Sequence, residues 1–91
     1  MDLTHWADIG EPMAQGELGL MLLQAGQPER AIHWLEQAAK REDPDAMHWL
    51  GRCYICGEGV EADESLGLSW ITRAAARGHL ISQRQVAELG V

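Results

Sequence analysis

The chain has no phenylalanine, one tyrosine, one lysine and two cysteines among its 91 residues. Each scarcity excludes something. Two cysteines, Cys53 and Cys56, cannot build the disulfide framework that holds small secreted domains together. Lys40 and six arginines face 14 acidic residues, which leaves a net charge of −7 and a pI near 4.9. So acidic a chain lacks the basic patch that displaces counterions from nucleic acid or draws a protein to an anionic membrane. No apolar run approaches the roughly 20 residues that a membrane span needs. The stretch from Met1 to Glu11 has neither a basic flank nor an apolar segment, so no cleavable signal peptide is expected and the compartment reads as cytoplasmic.

What remains is ordinary for a folded protein: 46% hydrophobic and 23% charged residues. The length suits one domain over 1–91, with a core that covers about 60–65% of the surface exposed by the unfolded chain. Four tryptophans carry nearly all the aromatic packing.

The sequence repeats itself. Ala46, Leu50, Gly51 and Tyr54 stand 32 residues after Ala14, Leu18, Gly19 and Leu22. Gly67, Leu68, Trp70, Ala74 and Ala75 stand 36 residues after Ala31, Ile32, Trp34, Ala38 and Ala39. The change of offset locates an insertion between the halves of the second unit, at Gly57-Glu58-Gly59-Val60. Fragments of the pattern recur at the ends. Gly10, Pro12 and Ala14 echo Glu42, Pro44 and Ala46, and Gly78, Leu80 and Ser82 fall in the same phase one unit later. The units are therefore 12–43 and 44–79, with partial units 1–11 and 80–91.

The punctuation is helical. Pro12, Pro28 and Pro44 suit first helical positions, where the missing N–H is not needed. Asp43 and Asp63 suit N-caps, and Gly26, Gly57 and Gly78 suit the left-handed residue after a helix. Apolar residues recur at spacings of three and four, as in Ala46, Leu50, Cys53, Tyr54 and in Leu66, Trp70, Ile71, Ala74. The spacing predicts helices over 12–25, 28–41, 44–56, 63–77 and 80–89, and a short one over 3–9. The fold class is all-α: a short solenoid of about five to six antiparallel helices. Gly19, Gly51, Ala38, Ala39, Ala74 and Ala75 let backbones approach, while Leu18, Leu50, Trp34 and Trp70 fill the space around them.

Residues 46–79 resemble a Sel1-like repeat, a relative of the tetratricopeptide repeat. The resemblance rests on Ala46, Leu50-Gly51, Tyr54, Gly57-x-Gly59-Val60, Asp63, Trp70, Ala74-Ala75 and Gly78-His79 at the family's spacing. Gly67 departs from it, standing where the family usually has alanine. Residues 14–45 match less closely: Leu22 replaces the tyrosine, the glycine loop is missing, and Glu42 replaces the final glycine. The resemblance implies a bacterial-type adaptor, regulator or inhibitor that binds a partner protein or peptide on the concave face formed by each unit's first helix. It implies no enzyme and no cofactor. The charge adds that the partner is neutral or basic.

By the tetratricopeptide positional pattern, the ligand-facing residues are Met13, Gly16, Leu20, Leu23 and Gln24 in one helix. In the next they are Asp45, His48, Arg52, Ile55 and Cys56. Met13, Leu20 and Leu23 are apolar where a solvated groove would be polar, and Arg52 offers a fork for a carboxylate. The competing reading packs the same residues under terminal helices or into a homodimer. An uncapped end near Val86 and Leu89 would also favour a homo-oligomer. Trp6 and Trp49 are candidate anchors, with core packing the plainer role for each.

Other chemistry finds little support. Cys53 and Cys56 lie three apart on one helical face, yet a zinc site needs two further ligands, for which His48 and His79 are the only candidates. A redox pair would want a thioredoxin-like setting. Glu58, Glu61, Asp63 and Glu64 lack the ligand alternation of a calcium loop. Gly57-x-Gly59 follows a helix and not a strand, so it is no phosphate loop.

Overall fold

The computed structural model describes residues 5, 10 and 12–88. Five helices run in order: α1 (Pro12–Gln24), α2 (Pro28–Lys40), α3 (Pro44–Cys56), α4 (Glu64–Ala76) and α5 (Leu80–Glu88). No strand occurs among the described residues. The sequence-predicted ends agree to within one residue. The expected helix over 3–9, together with Trp6 and Leu89, lies outside the described residues.

The starts and stops follow local chemistry. α2 and α3 open on proline. α4 opens after Asp63, whose carboxylate accepts the Leu66 backbone N–H at 3.0 Å. Asp43 stands at the N-cap position of α3 but makes no capping bond with its side chain. α3 ends at Gly57, left-handed at φ 72°, and the Glu58 N–H closes the turn on the Cys53 carbonyl at 2.9 Å.

The helices pair as α1 with α2 and α3 with α4, and α5 stacks on the second pair. Leu35, Met47, Leu50 and Ile71 are fully buried, with Ala31, Ala38, Ala39, Ala46 and Ala74 between them. Truncating one such leucine to alanine costs about 2–5 kcal/mol. Trp34 and Trp70 hold the same place, the seventh residue, in α2 and α4, and both lie half-buried against this core.

The family departure at Gly67 has a steric cause. A Cβ there would lie 2.6 Å from the Gly51 carbonyl oxygen, and a Cβ on Gly51 would lie 2.7 Å from the Gly67 carbonyl oxygen. Here α3 and α4 touch backbone to backbone. In the first pair, Gly19 faces the Leu35 side chain instead, 2.7 Å from where its Cβ would be.

The loop between α3 and α4 reaches back onto the first pair. A Cβ on Gly59 would lie 2.5 Å from the Pro28 carbonyl oxygen. Beside it the Tyr54 hydroxyl donates to Glu36 of α2 at 3.1 Å. At the far end of α2, Glu42 adopts φ 69° and its carboxylate pairs with Arg73, at 3.6 Å, and with Arg77.

Candidate functional site

The first helices α1, α3 and α5 line up side by side, so each unit contributes the same helical positions to one face. Between α1 and α3 lies a groove made of two adjoining depressions, of about 190 and 140 Å³. Leu20 and Trp49 line both. The larger is completed by Leu23, Gln24, Arg52, Cys53, Cys56 and Glu58. The smaller adds Met13, Gly16, Glu17, Asp43 and Asp45.

Position by position, the groove is an apolar floor with a charged rim. Met13 is 67% exposed, and Leu20 and Leu23 are half-buried. Trp49 packs against the core with part of its ring while the rest lines the groove, and the Arg52 guanidinium lies 5.5 Å from its centroid. Four carboxylates (Glu17, Asp43, Asp45 and Glu58) surround this floor, against the single guanidinium. Burial, and then the charge of Asp45, raise the Asp43 carboxyl above the usual carboxylate range. No lysine or arginine pairs with it among the described residues.

Eight of the ten sequence-selected residues therefore come together here: Met13, Gly16, Leu20, Leu23, Gln24, Asp45, Arg52 and Cys56. The other two do not. His48 is buried, 1% exposed, and faces α5. Its Nδ1 shares a hydrogen bond with the Ser82 hydroxyl at 2.8 Å, and its ring stacks on His79 with centroids 4.6 Å apart. Ile55 turns toward Leu68 and Ile71 of α4 and Gln85 of α5. The positional pattern names a helical face, and α5 covers that part of it. Conversely, Trp49 belongs to the groove. A tryptophan directly before the Leu50-Gly51 pair was the available sequence signal.

The buried polar cluster has a defined proton arrangement. His79 Nδ1 accepts the Ser82 backbone N–H at 3.1 Å, so its proton sits on Nε2 and is donated to Asp45 at 3.0 Å. Burial, then the neighbouring His79 and Arg52, lower the His48 pKa to about 4, with Asp45 opposing. Ser82 is fully buried, so its hydroxyl is a structural partner of His48 and offers no nucleophile to a substrate.

Cys53 is buried and its thiol is pushed up to about 11, first by burial and then by Glu58, which is the opposite of activation. Cys56 is exposed at the groove's edge. Among the described residues no three His, Cys, Asp or Glu side chains gather to hold a metal ion. None of the described helices is long and apolar enough to cross a membrane.

The fold is shared with known proteins. The Sel1 repeat family pattern matches residues 12–43 and 44–79. A segment of 48 residues is 40% identical to protein NMB1327 of Neisseria meningitidis serogroup B, covering 53% of this chain and 10% of that protein. The crystal structure of a Sel1 repeat protein from Oxalobacter formigenes superposes with a TM-score of 0.86 at 28% identity, over 96% of this chain and 26% of that one. The structure of c5321, a protective antigen present in uropathogenic Escherichia coli strains and displaying an SLR fold, gives 0.84 at 25% identity, over 96% and 20%. This chain thus spans a tenth to about a quarter of the length of these bacterial relatives. Sel1 repeats typically serve as protein–protein interaction modules, and the family is generally a non-enzymatic scaffold. With the repeat matched twice in succession over most of its length, the chain belongs to the Sel1 repeat family.

Proposed function

We propose that this protein is an interaction module whose groove between α1 and α3 receives a segment of a partner protein. The observation that carries the reading is the continuous floor of Leu20 and Trp49 shared by the two depressions. Apolar floors with polar rims are where binding energy concentrates at protein interfaces. Four rim carboxylates against one guanidinium select a partner segment that is neutral or basic. Leu20, Leu23 and Met13 supply the apolar contact, Asp45 and Arg52 the polar register, and Gln24 the edge. Partners of this kind are adaptors' clients or proteins held inactive, and a cytoplasmic setting suits the free thiols.

The test is peptide selection from a displayed random library on the wild-type protein, followed by titration of the selected peptides into isotope-labelled protein. Shifts centred on α1 and α3, lost in Leu20→Glu and kept in Arg30→Glu on α2, are the expected result. Peptides that map to α2 and α4 and ignore Leu20→Glu would sink the reading. A dilution series by light scattering separates the alternative: a dimer that blocks peptide binding means that the groove is closed by a second copy.

A further inference from the structure

The depression at Met13 and Leu20 has a neighbour on the other side of Asp45. Pro44, His79, Leu80 and Ile81 line it, between the starts of α3 and α5. Leu80 is 79% exposed and Ile81 56% exposed, among the most exposed large apolar side chains of the described residues. Asp45 lines both depressions, and its side chain is 77% exposed. Met13, Asp45 and Ile81 are the second residues of α1, α3 and α5, so they occupy one repeat position in three successive units. The face at that level therefore reads apolar, acidic, apolar.

We infer that the partner segment is an extended peptide that crosses the first helices near their starts, with a lysine or arginine over Asp45 and an apolar side chain three residues to either side. This rests on the reading of the face as a docking surface, and it names the chemistry of the occupant. Packed helices stand about 8–10 Å apart, and an extended chain of polyproline II type advances about 3.1 Å per residue and, with three residues per turn, brings every third side chain to the same face. Three residues of extended peptide thus span one helix-to-helix step. The apolar residues enter the depressions at Met13 and at Ile81, and the cation meets the exposed carboxylate between them. A helical peptide would bring residues three apart only about 4.5 Å along its axis, too short for the step.

The experiment uses the full chain and a capped peptide, Gly-Leu-Ser-Ser-Arg-Ser-Ser-Leu-Gly, titrated by NMR, which registers weak binding. Two controls accompany it, one with a single serine on each side of the arginine and one with glutamate in its place. The spaced peptide is expected to shift residues at the starts of α1, α3 and α5, and each control to bind about three- to five-fold more weakly, as an exposed ion pair or a misplaced anchor implies. Asp45→Asn should weaken the spaced peptide by a similar factor, and Asp45→Arg should restore the glutamate peptide. Equal affinity for all three peptides, no effect of Asp45→Asn, or no binding of the spaced peptide at millimolar concentration overturns the inference. If library peptides still need Leu20 while ignoring Asp45 and the spacing, the inference falls and the groove stands. If they ignore Leu20 as well, both fall.

Discussion

Two successive seams of the same repeat meet at α3, and their heads are built from different residues. Between α1 and α3 the facing positions are Gly16 and Asp43; a Cβ on Gly16 would lie 2.4 Å from the Asp43 carboxylate. One unit later the same positions hold His48 and His79, whose rings stack at 4.6 Å. The buried alanine of the pattern, Ala46, becomes Ser82, whose hydroxyl meets His48. The first seam is left open down to Gly16, and the second is filled and hydrogen-bonded beneath the surface depression at Leu80 and Ile81. A glycine in one unit and an imidazole in the next decide how deeply a partner can enter each seam, although the backbone of both follows one repeat.

The comparison can be broken most forcefully at His48. His48→Ala leaves the Ser82 hydroxyl buried without its partner and opens a cavity, at a cost of about 2–4 kcal/mol in urea unfolding. Adding Ser82→Ala, which restores the pattern's alanine, should recover about 1 kcal/mol. A cost of His48→Ala below that of an exposed substitution would mean that the rings do not fasten α5.

Acid provides the next largest effect. The unfolded chain takes up a proton on this imidazole near pH 6.5, whereas the folded chain does so only near 4. The unfolded state therefore binds more protons across that window. Stability is fully present above the upper value, falls as the pH drops through the window, and levels off below it, by up to about 3 kcal/mol. Unfolding midpoints between pH 7 and 4 should show this slope in the wild type and a much shallower one in His48→Gln.

Filling the first seam is a smaller perturbation of stability. Gly16→His pushes the Asp43 side chain aside and places a ring in the depression. The expected change in stability is within about 1 kcal/mol, because the obstruction is the end of one side chain and the helix gains by losing a glycine. Library-selected groove peptides should nevertheless lose affinity at least about ten-fold. Unchanged affinity would show that the depression at Gly16 is not part of the binding surface.

The smallest effect concerns the turns that precede the two later first helices. Gly78 has φ 91°, and Glu42, at the same repeat position, is held at φ 69° despite its side chain. Its ion pairs with Arg73 and Arg77 are half-exposed and contribute about 1 kcal/mol or less. A left-handed non-glycine residue costs about 1 kcal/mol. Glu42→Gly should thus be close to neutral, and Glu42→Ala, which loses the pairs and keeps the strain, should be less stable by about 1 kcal/mol. Thermal melts of the two variants side by side measure the difference.

Much of this was legible from residue types alone. Pro28, Pro44, Asp63 and Gly57 mark helix ends through local chemistry that owes nothing to the tertiary fold, and the recurrence of Trp34 at Trp70 sets the register of the hairpins. Asp43 holds the expected N-cap position, its carbonyl accepting the Met47 N–H at 3.0 Å, while its half-buried side chain lies beside Gly16. The concave face was legible as a helical stripe. Which part of the stripe stays open was not, because that depends on what α5 brings against it. His48 and Ile55 share the stripe with Asp45 and Arg52, and only the packed neighbour distinguishes them. Trp49 lies just off the stripe and enters the groove because α1 offers small Gly16 across from it.

The glycine loop has a consequence for how the molecule comes apart. Gly59 rests on the Pro28 carbonyl, and Tyr54 reaches Glu36. In a linear array, each hairpin's stability is shared only through its borders with adjacent hairpins. A clasp across this border adds to the nearest-neighbour coupling, so the two hairpins melt as one cooperative unit, and a chain with the shorter turn in place of residues 57–60 would let them open one at a time.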